Sequence, residues 1–174
     1  MKSEEELFNI LKTKFNENVI KLVKQPIDPF IICDPLMINE ISLYLLSNEE
    51  LLFDNLMNLS GVDDANGKST PIEGIATIEG GTLSVYYHLE STKFRHKVVL
   101  KVCTPREKPE VASVALVWRS ADWHEREAYD LLGIKFLNHP DLRRILMPYD
   151  WEAGYPLRKD YANPEFYHGM KVPY

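Results

Sequence analysis

Cysteine is nearly absent from this 174-residue chain: Cys33 and Cys103 are the only two, seventy positions apart. That spacing excludes a CxxC pair and offers no disulfide framework, which points to a reducing compartment. Long apolar runs are missing too. Ile41 to Leu46 and Val111 to Trp118 fall far short of the roughly 18–20 residues that cross a bilayer, so any membrane association is expected to run through a partner. Positive charge is in deficit, with 20 Lys and Arg against 26 Asp and Glu and a net charge of −6. A general nucleic-acid binder, which needs a basic face, is thereby excluded. The opening Met1-Lys2-Ser3-Glu4-Glu5-Glu6 has no apolar segment of a signal peptide. Yet 45% of residues are hydrophobic, enough for the core of one ordinary domain, with room for an arm.

Cofactor and catalytic motifs are lacking as well. Gly61 to Ser69 resembles a phosphate-binding loop, but five residues separate its glycines where the cradle requires four. His124-Glu125 begins like a zinc-binding H-E-x-x-H, yet Ala128 stands where the second histidine must be. His88, His96, His124, His139 and His168 form no pair at ligand spacing, and no nucleophile elbow or dinucleotide-binding glycine loop occurs. Glu125, Glu127 and Asp130 cluster on one short segment. A glycosidase-like acid and base is one reading. The other is a helix of ion pairs, because Arg126 lies one turn from both Asp122 and Asp130.

What is present reads as an α+β fold: one mostly antiparallel sheet with helices on one face, followed by an extended arm rich in proline and aromatics. Ser3 and Glu6 have capping-box spacing ahead of Leu7, Leu11 and Phe15, predicting a first helix. Val19 to Val23 and Phe30 to Cys33 read as strands around a Pro-marked turn. Asp34-Pro35 opens a second helix with Ile38, Ile41 and Leu45 on its apolar stripe. Leu51 to Leu59 is a strand or a helix–strand junction, and a turn-rich loop follows at Asp63 to Lys68. Ile72–Ile78 and Thr82–Leu89 flank Glu79-Gly80-Gly81 as an expected hairpin, and Lys97 to Cys103 is the last strand. Pro109 is expected to open a helix through Trp118, and Asp122 with Glu125 to cap another that ends at Gly133. Residues 1–138 thus form the body. Residues 139–174 hold five of the eleven prolines and seven aromatics, with neither helical nor strand period. Such an arm buries its rings either on a neighbour or on its own domain.

One motif is complete. Glu125-Arg126-Glu127-Ala128-Tyr129-Asp130-Leu131-Leu132 is followed after six residues by His139, then Arg143 and Ile145-Leu146. This stretch resembles the signature of the 30-kDa subunit family of respiratory complex I, known in bacteria as the C subunit of NADH–quinone oxidoreductase. Trp151 to Tyr161 is similar to the family's second block, and Leu59-Ser60-Gly61-Val62-Asp63 and Tyr87-His88-Leu89 to its weaker ones. Ala153 is one residue more than the usual step, and the Ile72–Gly81 hairpin is extra.

The resemblance implies a structural subunit without a redox centre, in the hydrophilic arm of a proton-translocating complex. NADH, FMN, the iron–sulfur clusters and quinone would all be held by partner subunits. Its neighbours would be the large hydrogenase-like quinone-site subunit and the small subunit with the terminal iron–sulfur cluster. It would sit peripherally on the cytoplasmic face of the bacterial inner membrane and would not turn over alone. The equivalent subunit of a membrane-bound hydrogenase or formate hydrogenlyase-type complex is the alternative. In this reading no residue is catalytic. Glu125, Arg126, Glu127 and Asp130, with His139, Arg143, Ile145 and Leu146, form a rigid network where body meets arm. Arg144, Arg158, Lys159 and Asp160 pair with the partner. Trp151, Tyr155, Pro156, Leu157 and Tyr161 are the apolar part of that interface.

Overall fold

Ser3 accepts a hydrogen bond from the Glu6 amide while the Glu6 carboxylate takes the Ser3 amide, so the predicted capping box forms and starts helix α1 at Glu4–Phe15. The computed structural model describes residues 2–72 and 75–172. After α1 come β1 (Val19–Val23), β2 (Phe30–Cys33), α2 (Ile38–Ser47), β3 (Asn55–Asp63), β4 (Lys68–Ile72), β5 (Ile75–Glu79) and β6 (Thr82–Glu90). Then follow β7 (Lys97–Pro105), β8 (Glu110–Ala112), α3 (Ala121–Leu132), β9 (Lys135–Leu137), β10 (Phe166–Tyr167) and β11 (Met170–Lys171). No helix among the described residues is long and apolar enough to cross a membrane.

The main sheet runs β1-β2-β7-β6-β3. Its pairings are antiparallel except β2 with β7. Strand alternation decides which face is buried. Leu83, Val85, Tyr87 and Leu89 of β6 stand opposite Thr104, Val102, Leu100 and Val98 of β7, and all eight are buried. Leu7 and Leu11 of α1, Ile38, Ile41 and Leu45 of α2, and Ala128 and Leu132 of α3 join them in one core. The α+β class and helix-covered sheet are as the sequence predicts.

Four local expectations change. Asp34 does not cap α2; its Oδ1 accepts from the Leu36 and Met37 amides, closing a turn before the helix begins at Ile38. Residues 110–118 are not a helix. The first part of the segment bonds to distant groups: Glu110 N–H to Thr104 Oγ1, Ala112 N–H to the Pro35 carbonyl and, just before it, the Pro109 carbonyl to Lys135 N–H, while Val117 and Trp118 N–H close a single turn on the Val114 carbonyl. Strand β8 therefore lies parallel to β9. Ser120, whose hydroxyl donates to the Leu56 carbonyl at 3.4 Å and makes no capping bond, precedes α3, and Glu125 is buried rather than capping. The hairpin is also shifted: β5 pairs with β4, while β6 pairs with β3 and β7. Gly80 and Gly81, at φ +68° and +82°, turn the chain between the two systems. Residues 73–74 of the expected hairpin lie outside the described residues.

Candidate functional site

Helix α3 and the segment that follows it bring the signature residues together in three arrangements, the first two of which share Asp122 Oδ1. The first surrounds Glu125, which is fully buried. Its carboxylate accepts from Ser113 Oγ at 2.6 Å and from the Val114 amide at 2.7 Å. Burial pushes its pKa up to about 7, against the lowering effect of those two bonds. His139, its side chain fully enclosed, places Nε2 3.8 Å from Glu125 and 3.3 Å from Asp122 Oδ1. Its Nδ1 accepts from the Asp141 amide at 3.0 Å, which leaves Nε2 to carry the proton.

The second arrangement is on the outer flank. Arg126 Nε approaches Asp122 Oδ1 to 3.0 Å, without hydrogen-bond alignment, and the guanidinium lies 4.2 Å from the centre of the Trp123 ring. Of the two acids one turn away, only Asp122 is its partner. Glu127 is exposed and joins none of these pairs.

Asp130 forms the third. It is fully buried and its Oδ2 accepts three successive amides, Ile145, Leu146 and Met147, at 2.8–3.0 Å, while Arg144 Nη1 reaches Oδ1 at 3.0 Å. Burial alone would raise this carboxyl; the three amides and Arg144 reverse that and hold it below the usual range. The spacing between Asp130 and Ile145-Leu146 in the signature is therefore the length of chain needed to wrap a backbone nest around one carboxylate, and Arg144, expected to face a partner, closes on it instead. Arg143 points outward and pairs with Asp141 at 2.9 Å.

The segment expected to meet a partner returns first to its own body. Tyr155 lies against Gly133, where a Cβ would come within 2.5 Å of the ring, and the Arg158 guanidinium covers the other part of that ring at 4.6 Å. Arg158 Nε donates to the Leu132 carbonyl at 2.8 Å, and the Leu157 amide to Leu131 at 3.0 Å. These bonds fill carbonyls left open at the end of α3. Arg106, almost fully buried, bonds both Asp63 and Asp160, and Asp63 also accepts the Lys159 amide at 2.9 Å. Burial would raise the Asp63 carboxyl, but Arg106 and the Lys159 and Ala65 amides lower it overall. Pro156 and Tyr161 are half-buried, and Trp151 packs on Tyr167. Sequence reasoning missed Arg106 and Ser113. Neither belongs to a local pattern, because each finds its carboxylate 43 and 12 positions away.

Geometrically, this is a set of bolts: carboxylates and guanidiniums that fix a long irregular segment along a helix. The family model for the respiratory-chain NADH dehydrogenase 30 Kd subunit matches residues 31–167. The chain is 40% identical over 169 residues to the C subunit of NADH-quinone oxidoreductase from Chlorobium phaeobacteroides, covering 96% of this chain and 93% of that one. It is 42% identical to the protein of the same name from Chloroherpeton thalassium, of which it spans 64%. The J subunit of a chloroplastic NAD(P)H-quinone oxidoreductase from Buxus microphylla is 50% identical over 92 residues, 51% of this chain and 58% of that one. The solved trypsin-resistant fragment 1–134 of Nqo5 shares the fold at TM-score 0.57 and 24% identity, covering 78% of this chain and 98% of that one. A chain of an archaeal membrane-bound sulfane sulfur reductase shares it at TM-score 0.55 and 16% identity, covering 91% and 85%.

Proposed function

The chain belongs to the respiratory-chain NADH dehydrogenase 30-kDa subunit family, and from that membership we propose that it is a bracing subunit of a proton-translocating NADH–quinone oxidoreductase. The observation that carries this reading is identity of 40% across 96% of the chain and 93% of the Chlorobium phaeobacteroides relative. In the proposal the chain supports electron transfer from NADH to quinone without holding a redox group. NADH, FMN, the iron–sulfur clusters and quinone belong to its neighbours. Its place is peripheral, on the cytoplasmic side of a bacterial inner membrane.

The bonding of the charged residues supports a mechanical role. Glu125 and Asp130 have both oxygens committed to donors within the chain, so neither is placed as a free acid or base. A glycosidase-like pair has nothing to recommend it here. The surface left for a partner lies beside these bolts: Trp123, Leu146 and Tyr149 are 63%, 58% and 93% exposed. Large apolar side chains grouped around a rigid junction suit an interface core. We assign the neighbours as the large hydrogenase-like quinone-site subunit and the small subunit with the terminal iron–sulfur cluster.

Native purification from membranes with mass spectrometry of the copurifying chains tests this. Those two subunits, together with nicotinamide- and flavin-binding subunits, are expected. Hydrogenase or formate-oxidising partners instead would overturn the NADH assignment. Leu146→Ser with Tyr149→Ser is expected to weaken assembly on native gels while leaving the isolated chain's melting temperature unchanged.

A further inference from the structure

The distal tail carries a pocket beside the packed Trp151 and Tyr167 rings. Residues 150–153, Pro164 and 166–168 line it, around a volume of about 410 Å³. Its walls are held by their own bonds. Trp151 Nε1–H donates to the Gly154 carbonyl at 3.1 Å, and the Trp151 and Tyr167 rings lie 5.4 Å apart at 46°. Tyr167 Oη–H donates to Asp150 Oδ1 at 3.1 Å, and His168 Nε2 stands 2.8 Å from Asp150 Oδ2. Among the described residues, the hydrogen bonds of 162–172 stay within 150–172, so this unit is not a patch on the body. Phe166 is 56% exposed at the mouth. Glu152 on the rim is exposed and has no ion-pair partner among the described residues.

The lining selects by charge. Aromatic faces are electron-rich and attract cations, and an unpaired carboxylate beside them repels anions. A divalent metal is a poor fit: both oxygens of Asp150 are already engaged, and Glu152 alone falls far short of the oxygen shell that calcium or magnesium requires. An organic cation with a flat face meets both features, since guanidinium stacks on rings and pairs with carboxylate at once. The volume exceeds one such group, leaving room for the backbone on either side of it.

We propose that this pocket receives an arginine side chain of a neighbouring polypeptide, the guanidinium stacked on the exposed Phe166 ring beside the Trp151–Tyr167 pair and paired with Glu152. The proposal rests on the subunit reading above only for the source of that polypeptide. The pocket's chemistry stands apart from it, and so does the test.

The full chain, labelled with nitrogen-15, is titrated with an acetylated and amidated Gly-Arg-Gly peptide and with its neutral citrulline counterpart. The expected result is saturable movement of the Trp151 indole and Gly154 amide signals by the arginine peptide, with a Kd of a few millimolar, the combined yield of the cation–π contact, the pairing with Glu152 and burial of the arginine's apolar stem. The citrulline peptide should bind at least about fivefold more weakly. Glu152→Gln, which leaves the Trp151–Tyr167 contact in place, should weaken the arginine peptide about three- to tenfold, and Phe166→Ser should weaken it further. Equal binding of both peptides would overturn the proposal, because the contact would then be apolar only. So would no movement up to about 20 mM, or movement indifferent to both variants. Free arginine amide binding as tightly as the peptide would remove the polypeptide partner. None of these failures touches the family-based assignment, which copurification reads separately.

Discussion

Asp130 and Glu125 sit on the same helix, equally buried, and are driven in opposite directions by what surrounds them. Asp130 has a charge-assisted bond and three amides, so its ionised form is held in the fold. Replacing it with Asn is expected to cost about 2–3 kcal/mol at neutral pH. The loss should shrink as pH falls from the ordinary carboxylate value, where the unfolded group takes up its proton, through the lower folded one. Glu125 has the reverse sign. Its folded pKa of about 7 stands above the ordinary 4.5, so its contribution is fully present below that ordinary value and is lost as pH rises through the folded one. Urea unfolding between about pH 4.5 and 7.5 should show a decline of about 3 kcal/mol attributable to this group. Glu125→Gln should flatten that decline; the same slope in both proteins would refute the assignment. Arg106→Ala strands Asp63 without its guanidinium, and a loss of about 3–5 kcal/mol in the same measurement is expected.

At the scale of elements, helix α3 is positioned by two glycines that admit close neighbours. A Cβ on Gly61 of β3 would stand 2.6 Å from Leu132 and 3.1 Å from Ala128, so strand and helix touch backbone to side chain there. Gly133 ends the helix at φ +76° and lies under Tyr155. Gly133→Ala therefore carries two costs, the left-handed backbone and the displaced ring, expected to total about 2–3 kcal/mol. In a Tyr155→Ala background the same substitution should cost only about 1 kcal/mol, the backbone share. Denaturant midpoints of the four proteins check this, and additive costs would show that the ring contributes nothing. Local order explains which elements were readable. The capping box of α1 and the runs of β1 and β2 are set by neighbours in sequence, and they appear at the expected residues. Residues 110–118 were not readable, since Val111, Val114 and Trp118 fit a helical stripe as well as they fit a strand and turn, and the bonds that decide come from Pro35, Thr104 and Lys135.

For the whole molecule, the tail is the open question that truncation answers. Cutting after Asn138 removes Arg144 and the three amides from Asp130, His139 from Glu125, Tyr155 from Gly133, and Asp160 from Arg106. The body alone is therefore expected to be several kcal/mol less stable, having lost several buried polar partners at once. Cutting after Tyr161 keeps all of these and should leave the melting temperature close to that of the full chain. Circular dichroism melts of the two truncations decide it, and equal melting temperatures would mean that the bolts carry no load. The α+β class, the places of β1 and β2, the poverty of metal-ligand spacings and the family were legible in the sequence, because each is written in residue type and short-range spacing. Glu125, Arg126, Glu127, Asp130, His139, Arg143, Ile145 and Leu146 were marked there as a set, with Arg144 assigned to a partner. The fold instead turns Arg144 onto Asp130, joins Arg126 and His139 through Asp122, leaves Glu127 and Arg143 outside, and brings Arg106 to Asp63 and Asp160. The reason is physical: a buried charge is satisfied by whichever donor the fold brings within about 3 Å, and for Asp63 and Asp130 those donors, the Ala65 amide apart, lie 14 to 96 positions away along the chain.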